Sequence, residues 1–205
     1  MDTVELAEII ATDYDGLYRQ LEDTRSCDLL EHHPEVAEAM AHTTPGRGLD
    51  IGCGRGGNTL LLARARFNMK AVDLSESAIN LLLAMAVMED LKIEAIADNI
   101  FCELLPCDHS IIVCTYFFGH MGEERDHWLI NRMKEKTKVG GVNVITTFDL
   151  YPERPHRKMY RFTQAQFLEM YTGWKIISCS MEPFETSTET KPLNVIRLIA
   201  KKLEE

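Results

Sequence analysis

The residues with the most chemical potential sit where short apolar runs end. Asp50-Ile51-Gly52-Cys53-Gly54-Arg55-Gly56-Gly57 closes the first such run, Asp73 the second and Asp98 the third. Glycines there admit positive φ and let a ligand approach the backbone. A glycine-rich turn alone serves dinucleotides, phosphates and ordinary tight turns, so the carboxylates decide more. Asp50, Asp73 and Asp98 are expected to line one crevice, and a diphosphate entering it would meet like charge. At about 4 Å such a pair costs about 4 kcal/mol at an effective dielectric of about 20. The crevice suits a cation. Taken singly, each Asp is equally a helix N-cap or a strand-end turn residue; their placement after three successive strands argues for a shared ligand.

S-adenosylmethionine has the matching chemistry: a sulfonium and an ammonium for the glycine turn, ribose hydroxyls for Asp73 and an adenine amino group for Asp98. Charge sign therefore favours methyl transfer over hydride transfer. Such a displacement expels a neutral leaving group, so no metal is required, and alignment of nucleophile and methyl contributes about 7 to 11 kcal/mol. A general base is needed only for an acceptor whose proton has a high pKa. Cys53, inside the turn, reads as a small apolar filler and not a nucleophile.

On the acceptor side, the segment Asp149 to Arg161 is expected to arch over the methyl group, and it is locally basic. Arg154, Arg157, Lys158 and Arg161 can recognise an oxyanion, with Tyr151 and Tyr160 closing the pocket; a solvated loop is the open alternative. His33, ahead of the first strand, can orient or deprotonate a substrate, or simply cap and pack beside Pro34. His120 is a similar candidate with a similar packing alternative.

These positions follow from an alternation of strands and helices. A helix over Val4–Leu21 and a second opening at Pro34 precede a strand at Gly48–Ile51 and a helix over Asn58–Arg66. Next come a strand at Met69–Val72, a helix capped by Ser75 and running to about Met88, and strands at Ile93–Ala97, Ser110–Thr115 and Val142–Thr147. A helix over Glu123–Lys138, stopped by Gly140-Gly141, separates the last two. Thr163 caps a helix ending near Tyr171, and Trp174–Met181 with Leu193–Lys201 form an antiparallel edge hairpin. The fold expected is α/β and doubly wound, with a mostly parallel seven-stranded sheet and an antiparallel C-terminal strand. Ligands of such sheets bind beyond the carboxyl ends of the strands.

Length and composition agree with one globular domain: 205 residues, 45% hydrophobic and 26% charged. It divides into a helical segment, 1–45, expected to cover the active site, and a cofactor-binding core, 46–205. A formal net charge of -10 repels a phosphate backbone, which disfavours nucleic acid, and no apolar run is long enough to span a membrane. The acidic N-terminal stretch MDTVELAEIIATDYDG does not suit a signal peptide, so a cytoplasmic protein is expected. Cys27, Cys53, Cys102, Cys107, Cys114 and Cys179 form no CxxC pair and read as reduced, buried thiols; pairing or metal binding by Cys102 and Cys107 is the alternative.

The segments LDIGCGRGGNTLLLA, AVDLSESAI, IADNI, VCTYFF and MKEKTKVGGVNVI, in this order, resemble the motifs of class I S-adenosylmethionine-dependent methyltransferases. His33-Pro34-Glu35-Val36 and FTQAQFLEMYTGWKI are similar to the tellurite-resistance methyltransferases of the TehB type. The resemblance covers about residues 30 to 202. It implies S-adenosyl-L-methionine as cofactor, S-adenosyl-L-homocysteine as product, and a monomer or homodimer acting on a small molecule. Implied cofactor contacts are Asp50, Gly52, Cys53 and Gly54 at the methionine moiety, with Asn58 weaker; Asp73 and Leu74 at the ribose; Asp98 and Asn99 at the adenine; and Thr115 and Tyr116 after the fourth strand. His33, Arg157 and Arg161 are the candidate catalytic residues. Two departures stand out: Gly57 replaces an arginine of the TehB-type turn, and Met181 to Thr186 lacks the family's His-Arg pair. The acceptor implied is a tellurium or selenium oxyanion or a thiol-like group, and the missing pair keeps a non-catalytic S-adenosylmethionine or S-adenosylhomocysteine sensor open beside it.

Overall fold

The computed structural model describes residues 32–101, 107–119, 121–149, 162–184 and 193–204. The expected Val4–Leu21 helix, Cys27, Cys102, His120, Arg157 and Arg161 lie outside the described residues. Elements run in the order α1 (Pro34–Met40), β1 (Arg47–Ile51), α2 (Gly57–Arg64), β2 (Asn68–Asp73), α3 (Glu76–Met88) and β3 (Ile93–Ala97). They continue with β4 (His109–Thr115), α4 (Glu123–Lys136), β5 (Thr137–Phe148), α5 (Gln164–Met170), β6 (Lys175–Phe184) and β7 (Leu193–Lys201).

All seven strands form one sheet in the order β3-β2-β1-β4-β5-β7-β6. Neighbours among β1 to β5 are parallel, and β7 runs antiparallel to both β5 and β6. The last strand is thus inserted, and β6 forms the edge. Every residue of β4 is buried, as a central parallel strand covered on both faces requires. Its side chains alternate between two cores. Ile112 and Cys114 join Leu49, Ile51, Leu129, Ile130 and Phe167, while Ile111 and Val113 join Met69, Val144, Val36 and Leu62.

Helix starts follow their caps. The Ser75 hydroxyl accepts from the Ala78 N–H at 3.1 Å, and Thr163 and Gln166 form a reciprocal capping box. Helix α4 carries Glu123, Glu124 and Asp126 in its first turn and Lys134 and Lys136 in its last, matching the helix dipole.

Two expectations need correction. Helix α4 ends at Lys136, not Lys138, and Gly140-Gly141 lie inside β5. The Lys202 ammonium donates to the Lys134 and Thr137 carbonyls, while the Thr137 hydroxyl lies 2.6 Å from Asn143 Oδ1. Those partners turn the chain into a strand early, and the glycines form an irregularity where the β4 to β5 register jumps from His109↔Thr137 to Ile111↔Val142. Second, the described thiols Cys53, Cys107, Cys114 and Cys179 are free, but only Cys114 is buried and Cys107 is exposed.

Candidate active site

The carboxyl ends of β1, β2 and β4 bring the candidate residues together. After Ile51 the chain takes positive φ at Gly52 (66°), Gly54 (51°) and Gly56 (85°) before entering α2. The Gly52 and Cys53 N–H groups donate to the Val72 carbonyl at 2.8 and 3.2 Å, fastening the turn to β2. A Cβ on Gly52 would stand 2.7 Å from the Phe117 ring, so this glycine is required by close approach as well as by φ.

Asp73 ties the strand ends together. Its Oδ2 accepts from the Gly54 N–H at 2.8 Å and its Oδ1 from the Ser75 N–H at 2.9 Å, while its carbonyl accepts from the Asp98 N–H at 2.9 Å. Asp98 is exposed at the end of β3; its Oδ1 accepts from the Asn99 N–H, and Asn99 Oδ1 from the Phe101 N–H. Leu74 packs with Phe101, Phe117 and Met121.

Asp50 sits differently from its expected place in the crevice lining. It is fully buried beneath the turn, where its Oδ2 accepts a 2.6 Å bond from the Thr59 hydroxyl. Its Oδ1 has no hydrogen-bond partner among the described residues. Burial pushes the Asp50 carboxyl up to about 7, the Thr59 bond opposes this, and the Asp73 charge adds to it. Burial also pushes the Cys53 thiol up, which keeps it protonated and unreactive.

A second cluster forms where His33, ahead of α1, meets the residues that follow β4. Asn58 Oδ1 accepts from the His33 N–H at 2.9 Å and its Nδ2 donates to the Thr115 hydroxyl at 3.2 Å. Tyr116, at φ 56°, donates its N–H to the Thr146 carbonyl at 2.7 Å. Its ring lies 5.1 Å from the His33 ring and 4.9 Å from Phe148. Burial lowers the His33 pKa; Glu35 opposes that shift, and Arg197 and His32 add to it. Burial likewise raises the Tyr116 pKa.

Further buried charged residues carry no local motif in the sequence. Glu35 is buried, accepts from the Thr146 hydroxyl and stands 3.5 Å from Arg197 Nε. Arg197 also pairs with Glu182 at 2.7 Å. Asp126, fully buried in the first turn of α4, accepts from the Gly119 N–H at 2.8 Å. The available signals were a charge inside the apolar strand run VIRLIA and an acidic residue beside Pro34 in an apolar helix.

The sequence matches the family described as "Tellurite resistance protein TehB" over residues 20–197. The chain belongs to the TehB family. Relatives include Hemagglutinin 1 of Eikenella corrodens, 31% identical over 147 residues, covering 71% of this chain and 49% of that protein. A probable S-adenosyl-L-methionine-dependent methyltransferase TehB of Haemophilus influenzae is 29% identical over 166 residues, covering 79% and 58% respectively. The chain thus spans about half the length of the curated relatives it matches. The crystal structure of TehB from Haemophilus influenzae superposes with a TM-score of 0.74 at 25% identity, covering 83% of this chain and 62% of that one. A Burkholderia thailandensis 1,6-didemethyltoxoflavin-N1-methyltransferase, solved with 1,6-didemethyltoxoflavin and S-adenosylhomocysteine, shares the fold. It covers 100% of this chain and 92% of its own at 18% identity, with a TM-score of 0.76. The stretch Met181 to Thr186 has neither residue of the His-Arg pair expected from the TehB-type pattern; Met181 and Glu182 lie on β6, and Glu182 pairs with Arg197.

Proposed function

We propose that this TehB-family chain is an S-adenosyl-L-methionine-dependent methyltransferase acting on a small molecule, forming S-adenosyl-L-homocysteine. Beyond family membership, the observation that carries this reading is the orphaned Asp50 Oδ1 beneath a glycine turn. A buried carboxyl with one oxygen unpartnered is costly, and a cation above the turn offsets that cost where a diphosphate would add to it. Asp50, Gly52, Cys53 and Gly54 would hold the methionine moiety, with Asn58 behind them. Asp73 and Leu74 would take the ribose, Asp98 and Asn99 the adenine, and Thr115 and Tyr116 the far wall. The cofactor supplies a methyl group on a sulfonium, which leaves a neutral thioether.

The chain's own contribution is placement and exclusion of water. His33 and Tyr116 orient the acceptor. With its pKa lowered by burial, His33 is neutral at pH 7 and free to accept a proton from a thiol or hydroxyl. Arg157 and Arg161 are the groups proposed to meet an oxyanion of selenium or tellurium. Arg197, shared between Glu35 and Glu182, favours a thiol-like acceptor over an oxyanion. It equally motivates the second reading, a binding module that senses S-adenosylmethionine or S-adenosylhomocysteine without turnover. No described helix is long and apolar enough to cross a membrane, and we assign the protein to the cytoplasm as a monomer or homodimer with no nucleic-acid partner.

Calorimetry with S-adenosylmethionine, S-adenosylhomocysteine and NADH tests the cofactor: both sulfur ligands are expected to bind at micromolar concentration and NADH not at all. Mass spectrometry of products from selenite, tellurite and a small alkyl thiol then separates enzyme from sensor. Binding without methyl transfer to any acceptor leaves the sensor.

A further inference from the structure

A buried carboxylate is expensive unless something compensates it, and Glu35 sits where its partners all reach the acceptor wall. It lies two residues after His33, in the first turn of α1, and is 4% exposed. One oxygen accepts from the Thr146 hydroxyl, and the carbonyl of that same threonine accepts the N–H of Tyr116. The other oxygen faces Arg197 Nε at 3.5 Å, on the strand beside β5. Glu35 therefore joins α1, β5 and β7 directly beneath the ring contact of His33 with Tyr116.

His33 is the N-cap of the same helix. It has no side-chain cap bond to the helix; its N–H donates to Asn58 Oδ1 at 2.9 Å and its carbonyl accepts from the Val36 N–H at 2.9 Å. Tyr116 occupies the left-handed region at φ 56°, a strained placement for a bulky residue, costing about 1 to 3 kcal/mol and kept only where the surroundings enforce it. Thr146 supplies part of that enforcement, and Glu35 holds Thr146. Stability alone is a poor explanation for such a pair, since a buried ion pair rarely outperforms apolar packing of the same volume.

We propose that the buried Glu35–Arg197 pair is a positioning device for the methyl acceptor, holding His33 against Tyr116 and setting the electrostatic potential at both rings. The proposal rests on the methyl-transfer reading for its functional part only. Four charged or titratable groups face the imidazole: Glu35 from its own helix, Arg197 from β7, Tyr116 from the end of β4 and His32 beside it. Glu35 and Arg197 act on it with opposite sign. Removing the carboxylate leaves Arg197 and His32 to disfavour imidazolium, whereas removing the guanidinium leaves Glu35 to favour it.

The test is histidine NMR titration of the full chain with Glu35→Gln and Arg197→Gln. The His33 midpoint is expected to fall in the first and to rise in the second, each by about half a pH unit or more. A loss of packing alone would move both midpoints toward that of a solvated histidine. Thr146→Val, which keeps both charges, is expected to leave the midpoint nearly in place while weakening the His33 to Tyr116 nuclear Overhauser contact. With a small alkyl thiol as acceptor, Glu35→Gln is expected to raise KM by roughly tenfold and to change the Kd for S-adenosylmethionine less than twofold, with Glu35→Asp partly restoring KM. Midpoints unmoved in both charge variants, or moved in the same direction, overturn the proposal. If wild type neither binds S-adenosylmethionine nor methylates anything while the midpoints move oppositely, the methyl-transfer reading fails and the charge coupling stands.

Discussion

Oδ2 of Asp50 accepts a 2.6 Å hydrogen bond from the Thr59 hydroxyl, joining the end of β1 to the first turn of α2. This bond draws the carboxyl under the glycine turn and out of solvent, and burial then pushes its pKa up to about 7. The sign of the linkage follows. The folded state keeps a proton on Asp50 up to about 7, whereas the unfolded state releases it near 3.8. Between those values the folded protein binds more protons, so its stability falls as pH rises and stays reduced above 7. Burial shifts Asp126 the same way, to about 7. Without cofactor, the melting temperature is expected to fall between pH 5.5 and 8. Asp50→Asn, which retains an acceptor for Thr59, is expected to flatten that fall and raise Tm at pH 8 by several degrees, at roughly 2 to 4 °C per kcal/mol. Differential scanning fluorimetry reads both; parallel curves for the two proteins would dispose of the idea.

The same carboxyl gives a ligand test. A sulfonium favours ionised Asp50, so the Kd for S-adenosylmethionine is expected to decrease from pH 6 to pH 8, more steeply than that for S-adenosylhomocysteine. Asp50→Asn should remove the difference in slope. Calorimetry at three pH values checks it, and equal slopes for the two ligands in wild type would contradict it.

Gly52 and Gly140 separate two costs of a side chain. Both have positive φ, 66° and 76°, so alanine at either incurs backbone strain of about 1 kcal/mol or more. Of the two new methyls, that on Gly52 meets the Phe117 ring at 2.7 Å, while that on Gly140 meets nothing within 4 Å among the described residues. Gly52→Ala is expected to cost about 1 to 3 kcal/mol more than Gly140→Ala and to weaken cofactor binding, while Gly140→Ala leaves that binding intact. Urea denaturation and calorimetry on the two variants decide it.

What could be read from the sequence was what local pattern determines. The apolar run Ser110–Thr115 identifies a doubly covered strand because both of its faces need burial, and Ser75 and Thr163 mark helix starts because their hydroxyls satisfy free N–H groups nearby. Misplacements arose where a distant group intervenes. Gly140-Gly141 suggests the end of α4, but Lys202 and Asn143 act on it from beyond. Asp50 was expected in the crevice because spacing gives the strand end and not the direction of the Thr59 hydroxyl. Glu35 and Arg197 lie 162 positions apart, on elements that meet only because β7 inserts beside β5.

In the middle of β5, Asn143 donates from Nδ2 to the Tyr171 hydroxyl at 3.0 Å, and both residues are buried. Tyr171→Phe leaves that amide without its partner, at a cost of about 1 to 3 kcal/mol. Tm is expected to drop while the Kd for S-adenosylmethionine stays within twofold of wild type. A loss of affinity comparable with that of Gly52→Ala would mean that the middle of β5 and the crevice are coupled.

Both carboxylate oxygens of Asp73 already serve the fold. Oδ2 takes the Gly54 N–H and Oδ1 the Ser75 N–H, so each oxygen keeps lone-pair capacity for a ribose hydroxyl only if it stays a carboxylate. Asparagine can retain just one of the two backbone bonds, and its amide then faces an N–H with a donor. Asp73→Asn is therefore expected to reduce cofactor affinity by about 2 kcal/mol or more, on the order of 30-fold. Asp73→Glu keeps the charge but displaces it, and should recover less than a tenth of that affinity. Isothermal titration with S-adenosylhomocysteine, which lacks the sulfonium, isolates the ribose contribution. Unchanged affinity in Asp73→Asn would remove this residue from the cofactor site and leave it as the fastening between the β1 turn and α3.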